Sequence, residues 1–150
     1  MAENQKMPFR YKGVHACEAV VLACIDFRFW RETMQWVDEI LGIKSYDFPK
    51  MPGAAKAINE AHEGDVALSS IGVPCELHHV KKIVIVNHSD CGAYGGSGKF
   101  VSSEEEQAFH EGELRKARDI VKQKYPEQEV ILAYAKLVDD GDSIEFINVA

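Results

Sequence analysis

Several features that commit a protein to a membrane or to nucleic acid are missing from this 150-residue sequence. No apolar run approaches the roughly 18 residues of a membrane-spanning helix, and no apolar signal core lies near the N-terminus. The formal net charge is −7, and the basic pair Lys81-Lys82 stands alone. A phosphate backbone needs a clustered basic surface. We therefore expect no membrane and no nucleic-acid partner, with the cytoplasm as the location.

Cysteine is scarce, and its four positions contain no Cys-x-x-Cys pair: Cys17, Cys24, Cys75 and Cys91. A thioredoxin-type redox site is therefore not indicated. In a reducing compartment such cysteines are thiols or metal ligands more often than disulfides. We interpret Cys17 and Cys75 as core or partly buried thiols.

Apolar runs and turn residues predict the element order β-α-β-α-β-α-β-β. The predicted strands are 18–24, 44–48, 83–86, 129–136 and 143–149. Three helices are predicted over 29–41, 54–62 and 66–79, the last with a bend or a division into two short helices at Gly72-Val-Pro74. A fourth helix is predicted to start at the capping residues Ser102-Ser103 and to end at Tyr125-Pro126. This order indicates a single-domain α/β fold, an open sheet of four parallel strands in the order 2-1-3-4 with an antiparallel C-terminal strand and helices on both faces. We expect residues 1–16 to form a loosely ordered N-terminal arm and residues 17–150 to form the α/β domain.

Metal-ligand side chains follow two of these strands. Cys24-Ile-Asp26-Phe-Arg28 comes directly after an apolar run, and His88-Ser-Asp-Cys91-Gly92 follows Ile83–Val86. In the order 2-1-3-4 these two strands are neighbours at the point where the strand order reverses, and ligands bind there. Thiolate and imidazole ligands favour a tetrahedral zinc ion, so we expect residues 17–150 to form a zinc-binding α/β domain. The alternative is a buried Cys24, a surface Asp26–Arg28 pair and a solvated or helix-capping His88.

The pattern Cys-x-Asp-x-Arg followed by His-x-x-Cys-Gly resembles that of the β-class carbonic anhydrases. The resemblance implies one Zn²⁺ per chain, held by Cys24, His88 and Cys91, with water or hydroxide or Asp26 in the fourth position. Arg28 would draw Asp26 off the metal, and both would be catalytic. The implied reaction is that of a zinc lyase, the reversible hydration of carbon dioxide to bicarbonate by a zinc-bound hydroxide. A homodimer or higher homo-oligomer is also implied.

Two positions differ from the pattern of that family. Phe27 stands where a small serine is usual, and Pro52-Gly53-Ala54 stands where family members carry Ala-Gly-Asn. We assign Phe27, Gly53 and Gly92 to the substrate pocket. An apolar pocket leaves open a zinc hydrolase of carbonyl sulfide or carbon disulfide, and a catalytically silent zinc-binding homologue is a further alternative.

Two other segments contain residues typical of binding sites, but we predict no binding site in either. Gly92–Phe100 follows a strand, but Ala93 and Phe100 break the spacing of a phosphate-binding loop. His78-His79 beside Glu76 are expected at a surface or interface, because adjacent side chains on a helix diverge.

Overall fold

A computed structural model describes residues 3–150 of the chain. Within this range no helix is long and apolar enough to cross a membrane. Residues 3–17 contain neither helix nor strand. The division into an arm and a domain at residue 17 stays a prediction.

The described residues form one six-stranded sheet. Its strands are β1 (Ala19–Cys24), β2 (Tyr46–Asp47), β3 (Lys50–Met51), β4 (Lys82–His88), β5 (Glu129–Val138) and β6 (Ser143–Val149). The order is β2-β1-β4-β5-β6, and β3 also pairs with β1. All neighbours are parallel except β5 and β6, which are antiparallel. The predicted α/β class, strand order and antiparallel C-terminal strand are therefore confirmed.

The second predicted strand, 44–48, differs in detail. It forms as two short strands on either side of Pro49, whose ring nitrogen has no hydrogen to donate to the ladder. The Pro49 carbonyl still accepts from the Ala23 N–H at 3.2 Å, and pairing resumes at Ala23 and Lys50. The sheet edge thus continues past the proline to the end of β1.

The helices are α1 (Trp30–Gln35), extended by a π-helical turn over Trp36–Ile40, α2 (Ala55–Asn59), α3 (Val66–Leu77) and α4 (Ser103–Lys124). The helix predicted over 66–79 forms as one helix, α3, with Pro74 inside it, rather than as two short helices. Pro74 has no N–H to donate to the Ser70 carbonyl, so α3 lacks one backbone hydrogen bond at this point. The predicted start of α4 is confirmed, since the Ser102 hydroxyl accepts from the Glu105 N–H at 3.1 Å.

The sheet separates two apolar clusters. Val20, Leu22, Ile83 and Ile85 pack against α2, α3 and α4, whereas the alternate residues of β1 and β4 pack against Phe29, Trp36 and Val37. Burial of both faces explains why the strands are apolar at every position. The register pairs Ala23 with Val86, so the residues that follow, from Cys24 on one strand and Asn87 on the other, meet at the carboxyl edge of the sheet.

Candidate metal centre

Three of the predicted ligands converge at this edge. One ligand atom from each of Cys24, His88 and Cys91 lies within 4.8 Å of the others, and all three residues are buried. The two sulfurs are 3.8 Å apart. Two sulfurs bound to one tetrahedral zinc at about 2.3 Å each would also be about 3.8 Å apart. The pair therefore has the separation that this ion requires.

The His88 ring is fixed in an orientation that suits a ligand. Its Nδ1 lies 2.6 Å from the Ser89 carbonyl oxygen, so Nδ1 carries the hydrogen and donates it. The lone pair is then on Nε2, which is buried and has no hydrogen-bond partner. Metal-bound histidines are commonly held in this way through the nitrogen that does not bind the ion. An unpartnered buried nitrogen beside two thiols fits a zinc ion.

The two thiols share a hydrogen bond. The pKa of Cys24 is lowered, first because Cys91 donates to its sulfur, and the same bond raises the pKa of Cys91. The backbone N–H of Gly53 also points at the Cys24 sulfur, 3.4 Å away. Gly53 has φ +74° and its missing Cβ would lie 2.8 Å from the Lys56 Cβ, so this approach of the backbone requires glycine. Negative charge on Cys24 is thus favoured before any cation is considered.

Asp26 is held beside the cluster by Arg28. The guanidinium Nη2 lies 2.6 Å from Oδ2 and Nε lies 2.9 Å from Oδ1, and the Arg28 N–H donates to Oδ1 at 2.8 Å. These bonds lower the pKa of Asp26 to about 2, so the carboxylate is ionised at neutral pH. Asp26 Oδ2 is 3.9 Å from His88 Nε2. The carboxylate is therefore paired with Arg28 and still faces the metal-ligand nitrogen.

A second acidic pair, absent from the sequence analysis, supports this arrangement. Asp90 accepts from Arg28 Nη1 at 3.0 Å, and its own N–H donates to Glu106 Oε1 at 2.7 Å. Glu106 also accepts from the Ser97 hydroxyl and is 4% exposed. The acidic run Glu104–Glu106 in the first turn of α4 indicates a helix start and no further role. The acidic neighbours of Glu106 on α4 gave no sign that this carboxylate turns inward.

Behind the ligands lies a buried polar group that the sequence did not indicate. Asn87 accepts from the Ala55 N–H at 3.1 Å and contacts His110 Nδ1 at 3.1 Å. Burial lowers the pKa of His110 to about 4, so the ring is neutral. His110 stacks on Tyr134 with ring centroids 5.2 Å apart. This group fixes the backbone that precedes His88.

The predicted pocket residues are not all at one place. Phe27 is 81% exposed and does not line the cavity next to Cys24. That cavity is lined by Ala23, Cys24, Phe29, Trp30, Thr33, Val86 and His88. Gly92 follows Cys91 in a 3₁₀ turn with open space around its Cα. The pocket roles of Phe27, Gly53 and Gly92 stay predictions.

The fold is shared with solved β-carbonic anhydrases. The TM-score is 0.61 to the enzyme CafA of Aspergillus fumigatus, at 16% identity over 91% of this chain and 77% of that one. The TM-score to β-carbonic anhydrase isoform I of Trichomonas vaginalis is also 0.61, at 10% identity over 95% of this chain and 87% of that one. The TM-score to a tetrameric β-carbonic anhydrase of Sordaria macrospora is 0.51, at 17% identity over 92% of this chain and 85% of that one. An open α/β sheet of this kind, with a Cys-His-Cys cluster at the carboxyl edge, defines the class as β-carbonic anhydrase-like.

Sequence comparison gives the family. A family model described as "Putative carbonic anhydrase" matches residues 14–147. The chain therefore belongs to the carbonic anhydrase family, and its fold places it in the β class. An uncharacterized protein of Rickettsia conorii is 34% identical over 125 residues, 79% of this chain and 67% of the relative. Another uncharacterized protein, from Rickettsia bellii, is 30% identical over 125 residues, which are 79% of this chain and 76% of the relative.

Proposed function

We propose that the protein binds one zinc ion at Cys24, His88 and Cys91 and catalyses the reversible hydration of carbon dioxide. The observation that carries this proposal is the unpartnered, buried Nε2 of His88 next to two sulfurs at the separation of a zinc dithiolate. Zinc in such a site supplies a Lewis acid that activates water as a nucleophile at moderate pH.

The ligand residues prepare the site for a cation. Cys24 and Cys91 share one proton, which leaves as the ion binds, because the thiolate is the ligand form. His88 presents its Nε2 to the ion, since its Nδ1–H is already donated to the Ser89 carbonyl. Thiolate sulfur and imidazole nitrogen favour a divalent ion of borderline softness over a hard ion such as Mg²⁺.

Asp26 is proposed to orient the attacking water. An ionised carboxylate can only accept hydrogen bonds, so Asp26 accepts from the O–H of the nucleophile and aims its free lone pair. Arg28 keeps Asp26 ionised and fixes its plane. The Arg28 hydrogen bonds to both Asp26 oxygens support a role in which this carboxylate pairs with the guanidinium and not with the metal.

The surroundings suit a small linear apolar substrate. Phe29 lies against the His88 ring with centroids 4.2 Å apart, and Ala23 and Val86 complete the apolar wall. Carbon dioxide has no net dipole and loses little on leaving water for such a wall, whereas bicarbonate is charged and is better solvated outside. This contrast favours entry of the substrate and release of the product.

We also infer that the chain forms a homo-oligomer. Ile25 and Phe27 flank Asp26 and are 59% and 81% exposed. Adjacent exposed apolar side chains next to a site are typical of a covered surface. Sedimentation equilibrium would test this, with Phe27→Ser expected to weaken association and a monomeric wild type contradicting the inference.

The activity is tested by zinc analysis and stopped-flow hydration of carbon dioxide on one preparation. We expect zinc that survives dialysis against a weak chelator, and hydration that requires it. Cys24→Ser should lose the zinc of this cluster and the hydration, while Cys75→Ser, which alters a buried thiol outside the cluster, should keep both. Zinc-replete protein without hydration would contradict the reaction, and full zinc in Cys24→Ser would contradict the ligand set.

A further inference from the structure

A second group of ligand-type side chains lies at the opposite edge of the sheet. Cys17 precedes β1, Asp47 ends β2, and His78 follows α3. One ligand atom from each lies within 4.8 Å of the others. The length of β1 separates this group from Cys24 by about 20 Å, so the two clusters are independent.

The backbone brings these three residues together. The Cys17 N–H donates to the His78 carbonyl oxygen at 3.1 Å, which ties the start of β1 to the end of α3. Asp47 is held in register by the pairing of β2 with β1. The three side chains therefore come from separate elements that are fixed relative to one another, as in a preformed site.

The distances are close to those of a metal site. The Cys17 sulfur is 3.7 Å from Asp47 Oδ2, and a sulfur and an oxygen on one tetrahedral zinc would be about 3.6 Å apart. His78 Nδ1 is 2.5 Å from the same oxygen, a hydrogen bond that a cation would replace as it displaces the proton. The ring of His15 packs edge to face on His78, with centroids 4.9 Å apart. A fourth candidate donor, a second imidazole, thus lies beside the three.

The charge around the cluster favours a cation. Among residues 3–150, no lysine or arginine forms an ion pair with Asp47, whose partner is His78. The side chains of His78 and Asp47 are 28% and 33% exposed, so an ion can reach them from solvent.

We propose that Cys17, Asp47 and His78 form a second metal-binding site, with His15 as the fourth ligand, for a borderline divalent cation such as zinc. One thiolate, one carboxylate and imidazole nitrogens are ligands that zinc accepts together, whereas Mg²⁺ and Ca²⁺ require oxygen. A bound ion would tie the segment before β1 to the sheet edge and to the end of α3. This proposal does not depend on the proposed function.

The test is metal stoichiometry on chelator-stripped protein titrated with Co²⁺ and with Zn²⁺. We expect two ions per chain for the wild type and one for Cys17→Ser, with loss of the thiolate-to-cobalt charge-transfer band of the second ion. His78→Gln should also bind one ion. His15→Gln should keep two but weaken the second by about tenfold or more. His79→Asn, a change at the exposed neighbouring histidine, and Cys75→Ser should bind two.

The outcomes separate the two clusters. One ion that Cys17→Ser retains and Cys24→Ser loses would overturn the second site and leave Asp47–His78 as a structural hydrogen bond. Two ions in both Cys17→Ser and His78→Gln would also overturn it. One ion that Cys24→Ser retains and Cys17→Ser loses would support the second site while contradicting the proposed function. Circular dichroism on each variant checks that lost binding is not lost folding.

Discussion

Arg28 holds both carboxylate oxygens of Asp26, at 2.6 Å and 2.9 Å, while its remaining nitrogen reaches Asp90 at 3.0 Å. The guanidinium is thus fixed by two carboxylates on the loops that follow β1 and β4, next to the candidate metal ligands. A planar fork can do this, whereas an ammonium group cannot bind two oxygens with defined geometry.

Arg28→Lys therefore tests positioning with the charge retained. We expect the rate of carbon dioxide hydration to fall about tenfold or more, because Asp26 is no longer oriented, while bound zinc is unchanged. Stopped-flow kinetics and zinc analysis measure the two effects. Arg31→Lys, an exposed arginine three residues on, is the matched control and should be unaffected. Equal rates for Arg28→Lys and the wild type would show that the bidentate guanidinium is not required to orient Asp26.

Zinc should stabilise the folded chain through the first cluster. In a Cys17→Ser background, where the second cluster is disabled, we expect zinc at about 100 times its Kd to add about 2.7 kcal/mol, or about 5–10 °C in Tm. Adding Cys91→Ser should remove the shift, because the dithiolate is lost. Adding Cys75→Ser instead should preserve it. Differential scanning calorimetry measures the shift, and an equal shift in both double variants would contradict the ligand assignment.

Glu106 is not a proposed metal ligand, but we expect it to affect both the stability of the fold and the rate of hydration. It is 4% exposed and accepts from the Asp90 N–H and the Ser97 hydroxyl. Glu106→Ala leaves these donors unpaired, so we expect a loss of about 2–3 kcal/mol in the free energy of unfolding. Hydration should also slow, because Asp90 anchors Arg28. Glu104→Ala, a change at an exposed glutamate in the same helical turn, should alter the free energy of unfolding by no more than about 0.5 kcal/mol and leave the hydration rate unchanged.

The parts of the fold that local patterns determine could be predicted from sequence. The apolar runs of β1 and β4 need only burial on both faces, and Ser102 begins α4 because its hydroxyl caps the next turn. Parallel pairing then brings Cys24 beside His88 with no further information. For the same reason the convergence of the predicted ligands follows from strand order.

The parts that depend on distant contacts could not be predicted. Glu106 reads as one of three helix-start acids, and only the position of the Asp90 loop turns it inward. Asp47 and His78 are 31 residues apart, and their contact depends on where α3 ends. His78 was expected at a surface or interface because His79 follows it. In the structure His78 contacts Asp47, whereas His79 is exposed.

Acid should destabilise the protein through His110, whose pKa burial lowers to about 4 from an unfolded value of 6.5. Below pH 6.5 the unfolded chain binds a proton at this ring that the folded chain does not, so stability present at neutral pH is lost as the pH falls toward 4. Between pH 7 and pH 5 we expect this group to cost about 2 kcal/mol. His110→Phe, and His110→Gln as a second variant, should lack that loss. Urea unfolding with excess chelator measures it without changes in bound metal. His62→Ala, whose native side chain is 90% exposed, should keep the full loss; parallel pH profiles for the wild type and both His110 variants would show that the buried ring takes up its proton in the folded state.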